Sequence, residues 1–90
     1  MKNLKLKDFT VNLCERTRGD VFDIEGEAEK RLEKFMKENE VVPEIGDIIG
    51  DYNLVDLNPD YSNKQYKVIE IEWIIANEIT ISITVVETRP

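Results

Sequence analysis

Ninety residues make one small domain, and 41% hydrophobic with 34% charged residues is the balance of a globular chain, not of a disordered or membrane-embedded one. Twelve Lys and Arg stand against nineteen Asp and Glu, a formal charge of −7, which disfavours direct nucleic-acid binding by phosphate neutralisation. With no His and one Cys, the commonest general base, the commonest metal ligand, an internal disulfide and a multi-Cys zinc site are all missing, so the expectation is a non-enzyme without cofactor or metal.

From the N-terminus, Met1 to Asp8 interleaves lysines with two leucines and lacks the apolar core of an export signal. Nowhere does an apolar run approach the roughly 18 to 20 residues that cross a bilayer, so a cytoplasmic protein without membrane contact is expected. Phe9 to Leu13 alternates apolar with polar residues, the period of a half-buried strand. Cys14 follows as a small strand residue, since no imidazole is present to make it a thiolate. Arg16 to Gly26 is polar, contains Gly19 and Gly26, and reads as a loop. Ala28, Leu32, Phe35 and Met36 then lay an apolar stripe along a helix over Glu27 to Asn39. Glu25, Glu27 and Glu29 at its start and Lys34 and Lys37 toward its end follow the helix dipole, and Pro43 bars continuation.

Beyond the helix, one strand is predicted near Gly46 to Ile49, another near Tyr52 to Leu57, and a polar loop from Asn58 to Lys64. Lys67, Ile69, Ile71, Trp73 and Ile75 then share one strand face, and Ile79, Ile81, Ile83 and Val85 share a face of the next. A three-residue loop, Ala76-Asn77-Glu78, turns both faces the same way and predicts the pairs Ile75–Ile79, Trp73–Ile81, Ile71–Ile83, Ile69–Val85 and Lys67–Glu87. Asn77 is the residue suited to a positive φ there, and Trp73 falls in the core. The expected fold is therefore α+β: one helix packed on a bent, mostly antiparallel sheet in the order β-α-β-β-β. A small SH3-like barrel is the closest architecture, and an open sheet is the alternative.

Charge is distributed unevenly. Residues 1–19 carry five basic against two acidic groups, whereas residues 20–51 carry eleven acidic against four basic groups. The basic arm of one copy meeting the acidic stretch of another would give a homodimer; two separately solvated surfaces are the plainer reading. Glu27, Glu29, Glu33, Glu44, Asp47 and Asp51 are the candidate partner-binding residues of this acidic stretch. Asp56 to Ser62 spaces oxygen-bearing side chains like the start of a calcium loop, but Tyr61 stands where the glycine is required and Lys67 where the bidentate acid should be, and a tight Asx-Pro turn explains the segment. Asp47, Asp51, Asp56, Asp60, Glu70 and Glu72 include no pair that the pattern brings together for acid–base work. Gly46-Asp47-Ile48-Ile49-Gly50-Asp51 lacks the Lys-Ser/Thr of a phosphate loop, and its glycines read as turns.

The stretch Val42-Pro43-Glu44-Ile45-Gly46-Asp47-Ile48-Ile49, with Tyr66-Lys67-Val68-Ile69-Glu70-Ile71-Glu72-Trp73 after it, resembles a cassette of small uncharacterised proteins of bacteriophages and mobile elements. There Pro-x-x-Gly-Asp enters a strand and Tyr-x-Val opens a hairpin. The resemblance covers the second half of the chain and implies a fold fragment and a phage origin, with no activity attached. Two functional expectations follow. One is an acidic protein-binding module, a phage-encoded inhibitor that mimics DNA in the manner of anti-CRISPR proteins and occupies a basic nucleic-acid-binding host protein. The alternative is a structural, assembly or oligomerisation component that pairs through a sheet edge.

Overall fold

The longest alternating runs of the sequence form the longest strands. The computed structural model describes residues 1–24, 26–50 and 65–88. Within them the chain order is β1 (Lys2–Asn3), β2 (Thr10–Thr17), β3 (Asp20–Asp23), α1 (Glu27–Asn39), β4 (Val41–Val42), β5 (Ile48–Gly50), β6 (Gln65–Ile75) and β7 (Ile79–Thr88). Five strands make one sheet in the spatial order β3-β2-β7-β6-β5, and β1 and β4 pair separately. The fold is α+β, with a mixed sheet: β2 and β7 run parallel and the other pairings are antiparallel. The sheet is open, as in the alternative architecture, and not an SH3-like barrel. The expected order β-α-β-β-β is lengthened by β1, β3 and β4. The strand expected over Tyr52 to Leu57 and the loop over Asn58 to Lys64 lie outside the described residues.

Helix α1 covers one face of this sheet. Ala28, Leu32 and Met36, spaced by four, are buried against Val11 and Leu13 of β2, Ile81, Ile83 and Val85 of β7, and Val68 of β6. Removing these side chains from water is the main stabilising term, about 1.5–3 kcal/mol for each large one. Phe35, expected within the stripe, is instead exposed, because it lies on the flank of the Ala28–Leu32–Met36 line. Glu40 ends the helix in the left-handed conformation with its N–H donated to the Met36 carbonyl.

The β6–β7 hairpin has the expected pairs Ile75–Ile79, Trp73–Ile81 and Ile71–Ile83, with Glu72 opposite Ser82 and Glu70 opposite Thr84. Beyond them the register changes. A bulge at Ile69 brings Val68 opposite Val85 and Lys67 opposite Val86, so the expected Ile69–Val85 and Lys67–Glu87 pairs do not form. The extra residue switches the face parity and buries Tyr66 and Val68, which an unbroken alternation would have placed beside Glu70 and Glu72. Asn77 does not take a positive φ; the loop closes with the Ala76 N–H donated to the Glu78 carbonyl.

Arg16 to Gly26, expected as a loop, holds the end of β2 and all of β3. The two strands are joined by Arg18-Gly19, both at positive φ (54° and 85°), the two-residue turn whose twist suits a hairpin. Gly46, at φ 96°, makes the expected turn: the Asp47 N–H reaches the Glu44 carbonyl at 3.0 Å. The turn is fastened to β6 by Gly46 N–H to Val68 carbonyl at 2.8 Å and Val68 N–H to Asp47 carbonyl at 2.9 Å.

Candidate functional site

The candidate acids do not act alike. Glu29 and Glu33 stand one helical turn apart, half-buried, and their carboxylates accept the backbone N–H groups of Leu13 and Val11, each at 2.9 Å. These are alternate amides of β2 on the side away from β7, where β3 ends at Asp23. The helix therefore continues with side-chain oxygens the ladder that β3 begins, and leaves two edge amides satisfied. Glu33 also meets the Lys37 ammonium at 3.6 Å, which in turn lies 5.1 Å from the centre of the Phe9 ring. Glu27 is exposed in the first turn of α1.

Glu44 and Asp47 sit together on the Gly46 turn. The Asp47 carboxylate accepts the Glu44 N–H at 2.8 Å and faces the Met1 ammonium at 3.1 Å, while Glu44 approaches the same ammonium at 3.7 Å. The Glu44 N–H first, and the ammonium second, hold Asp47 below the usual carboxylate range; the Asp47 hydrogen bond in turn raises the Met1 amine above its ordinary value. Asp51 lies outside the described residues, as does the Asp56–Ser62 segment.

The sheet face opposite α1 is polar. Thr10 meets Thr80 at 3.1 Å, Asn12 donates to Ser82 at 3.4 Å, Arg16 reaches Glu70 at 3.5 Å, and the buried Cys14 thiol donates to Asp23 at 3.2 Å. Burial, then the Asp23 contact, pushes this thiol up from its ordinary value, the opposite of what a nucleophile needs.

One end of β6 is different. Trp73, expected in the core, does sit on the helix-side face opposite Ile81, yet it is 44% exposed; Ile74 is 43% and Ile75 74% exposed. Strand β5 matches β6 only over Gln65–Lys67, and the Gly46 turn carries the contact to Val68. Among the described residues no strand lies beside β6 from Glu70 to Ile75. The direction of its free backbone groups follows from the ladder. Leu13 turns its N–H to Glu29 and its carbonyl to Ile24, away from β7. Alternation carried across β7 then points the N–H and C=O groups of Ile71, Trp73 and Ile75 outward. Beside this edge runs an open groove of about 420 Å³ lined by Lys2, Leu4, Val42, Ile45, Ile71 and Trp73. On the other face of the same strand stand Glu70 and Glu72, both exposed, and among the described residues Glu72 has no partner.

Sequence reasoning missed this edge, although a signal existed. A thirteen-residue helix spans about 20 Å and an eleven-residue strand about 36 Å, so α1 is too short to cover β6 from end to end. Among the described residues no group of three or more Cys, Asp or Glu is placed to hold a metal ion, and no helix is long and apolar enough to cross a membrane. No protein-family model, no curated protein and no solved structure matches the chain.

Proposed function

We propose that the chain is a protein-binding module without catalysis of its own, acting on a basic protein. The observation that carries this reading is the end of β6, where Trp73, Ile74 and Ile75 are exposed beside a strand edge and next to the acidic pair Glu70 and Glu72. Exposed aromatic and aliphatic residues at an edge that no described strand fills are a place where another chain adds, and a net charge of −7 selects basic partners. In the phage setting that the cassette resemblance implies, the partner is a nucleic-acid-binding host protein that the module inhibits. The earlier acidic candidates contribute unequally: Glu27 is exposed, Glu44 is exposed beside the Met1 ammonium that Asp47 also faces, and Glu29 and Glu33 serve the fold.

The second reading, an assembly or oligomerisation component, is favoured by the same edge, which a second copy could fill. Affinity capture of the tagged chain from a bacterial lysate, washed in increasing salt, separates the two. A nucleic-acid-binding protein released between about 50 and 500 mM salt supports inhibition, since that range shortens the screening length severalfold. Recovery of the chain alone, as a dimer indifferent to salt, supports assembly and refutes the first reading.

A further inference from the structure

Resting on the protein-binding reading, we infer that the partner element is an extended segment of alternating apolar and basic residues, which adds as a strand to β6 along Glu70–Ile75. Three features of this strand specify such a ligand together. Its backbone supplies the outward N–H and C=O groups of Ile71, Trp73 and Ile75 for a new ladder. Its helix-side face borders the groove between β6 and the β1–β4 pair, where Leu4, Val42, Ile45 and Trp73 receive every second side chain of an added strand. Its other face presents Glu70, which also meets Arg16 at 3.5 Å, and the exposed Glu72, with Ile74 beyond them at the loop end, so the intervening side chains of that strand lie beside two carboxylates. An extended segment sends successive side chains to opposite faces, and so the two chemistries must alternate with period two. Among the described residues the lane is empty, because Pro43 to Gly46 turns the chain away from β6 at Val68. Gly50 and Gln65, which flank residues 51–64, are paired at the opposite end of β6.

Charge decides between this ligand and a second copy. Edge-to-edge pairing of two copies would set the Glu70 and Glu72 side chains of both on one continuous sheet face and bring together two chains of −7 each. A basic strand places cations in the same positions. Adjacent opposite charges on neighbouring strands are favourable and like charges unfavourable.

The test uses the full chain, labelled with nitrogen-15, titrated with a soluble peptide whose core is (Lys-Val)₄. Controls are (Glu-Val)₄ and (Lys-Gly)₄. The expected result is saturable binding of the first peptide alone, with slowed amide exchange at Ile71, Trp73 and Ile75. Ile75→Pro removes one outward donor without removing a β6–β7 hydrogen bond, and should weaken that binding about tenfold, the loss of one ladder bond. Glu72→Lys, at an exposed site without a partner among the described residues, should weaken it roughly threefold to fivefold and leave stability unchanged. Equal binding of (Glu-Val)₄, binding that protects amides elsewhere, or no binding of (Lys-Val)₄ would each overturn the inference. So would the same three amides being protected without peptide in a dimer, which assigns the edge to a second copy. Ile75→Pro also separates this failure from that of the broader reading. Capture of a basic protein by both wild type and Ile75→Pro leaves the protein-binding reading standing and removes the edge as its site, whereas capture by neither removes the reading itself.

Discussion

Replacing Glu29 or Glu33 with Ala should strip a backbone amide of its acceptor, and the size of the effect follows from the geometry. Each carboxylate takes a β2 N–H at 2.9 Å from a half-buried position. Hydrogen bonds to charged groups contribute about 1.5–3 kcal/mol, and partial solvation argues for the low end. The better helix propensity of Ala returns a few tenths, roughly offset at Glu29 by the lost interaction with the helix N-terminus. Glu29→Ala is therefore expected to cost about 1.5 kcal/mol, which for a domain of this size lowers Tm by about 6–12 °C. Glu29→Gln keeps an oxygen acceptor but loses its charge, and should cost about half as much. Urea unfolding followed by circular dichroism measures the first quantity, and native-state amide exchange at Leu13 and Val11 locates it. If Glu29→Ala unfolds within about 0.3 kcal/mol of wild type and Leu13 exchanges no faster, the carboxylate is an ordinary solvated side chain and the reasoning fails. Charge reversal at these two positions would confound folding with binding, so functional substitutions belong at Glu27, Glu44 and Glu72.

Four further outcomes are expected. Leu13→Ala, at a fully buried site facing α1, should destabilise by about 2–5 kcal/mol in denaturant unfolding; less than about 1 kcal/mol would mean that α1 does not pack there. Glu40→Gly should raise stability by roughly 1 kcal/mol, because φ 52° suits glycine, and a loss measured by the same unfolding would contradict the left-handed cap. Cys14, buried with a raised pKa, should label with a thiol reagent at pH 8 at a rate set by opening of the fold; stability drawn from this neutral thiol is complete below its ordinary pKa and falls as pH rises through the raised value. The Met1–Asp47 contact has two limits of opposite sign. Its stabilisation is lost at high pH as the amine deprotonates above its raised pKa, and at low pH as Asp47 protonates below its lowered one; Asp47→Asn should flatten both limbs of a Tm-against-pH curve.

Helix α1 and its extent were legible, Phe35 apart, because a four-residue apolar spacing and a following proline leave little choice of period or end. The β6–β7 loop and its three nearest apolar pairs were legible for the same reason, through parity. The bulge at Ile69 was not, since either parity offers the core an apolar residue: Tyr66 and Val68 in one case, Ile69 in the other. Only the tertiary demand of the core chooses. The hairpin at Arg18-Gly19 was hidden by polar composition, although an X-Gly pair between Thr17 and Asp20 carries its signature. For the site, the sequence supplied the acids but not their employment. Glu29 and Glu33 read as partner-binding acids of an acidic stretch, and nothing local discloses that β2 offers them two amides. Trp73 was placed on the correct face, yet face does not determine cover, which depends on where α1 ends and where the Gly46 turn leaves the sheet.

The parallel pairing of β2 with β7 also has a consequence for how the chain is made. Thr10 meets Thr80, seventy positions apart, at the middle of the sheet. Synthesis at about 5–20 residues per second leaves β2 without this neighbour for roughly 4–14 s after it emerges. During that interval α1 is already available, and Glu29 and Glu33 can occupy one side of β2 while the side meant for β7 stays bare. The nascent chain thus carries an unsatisfied β2 edge of its own, and a burst of synthesis that crowds many such chains together favours intermolecular strand pairing over the native one.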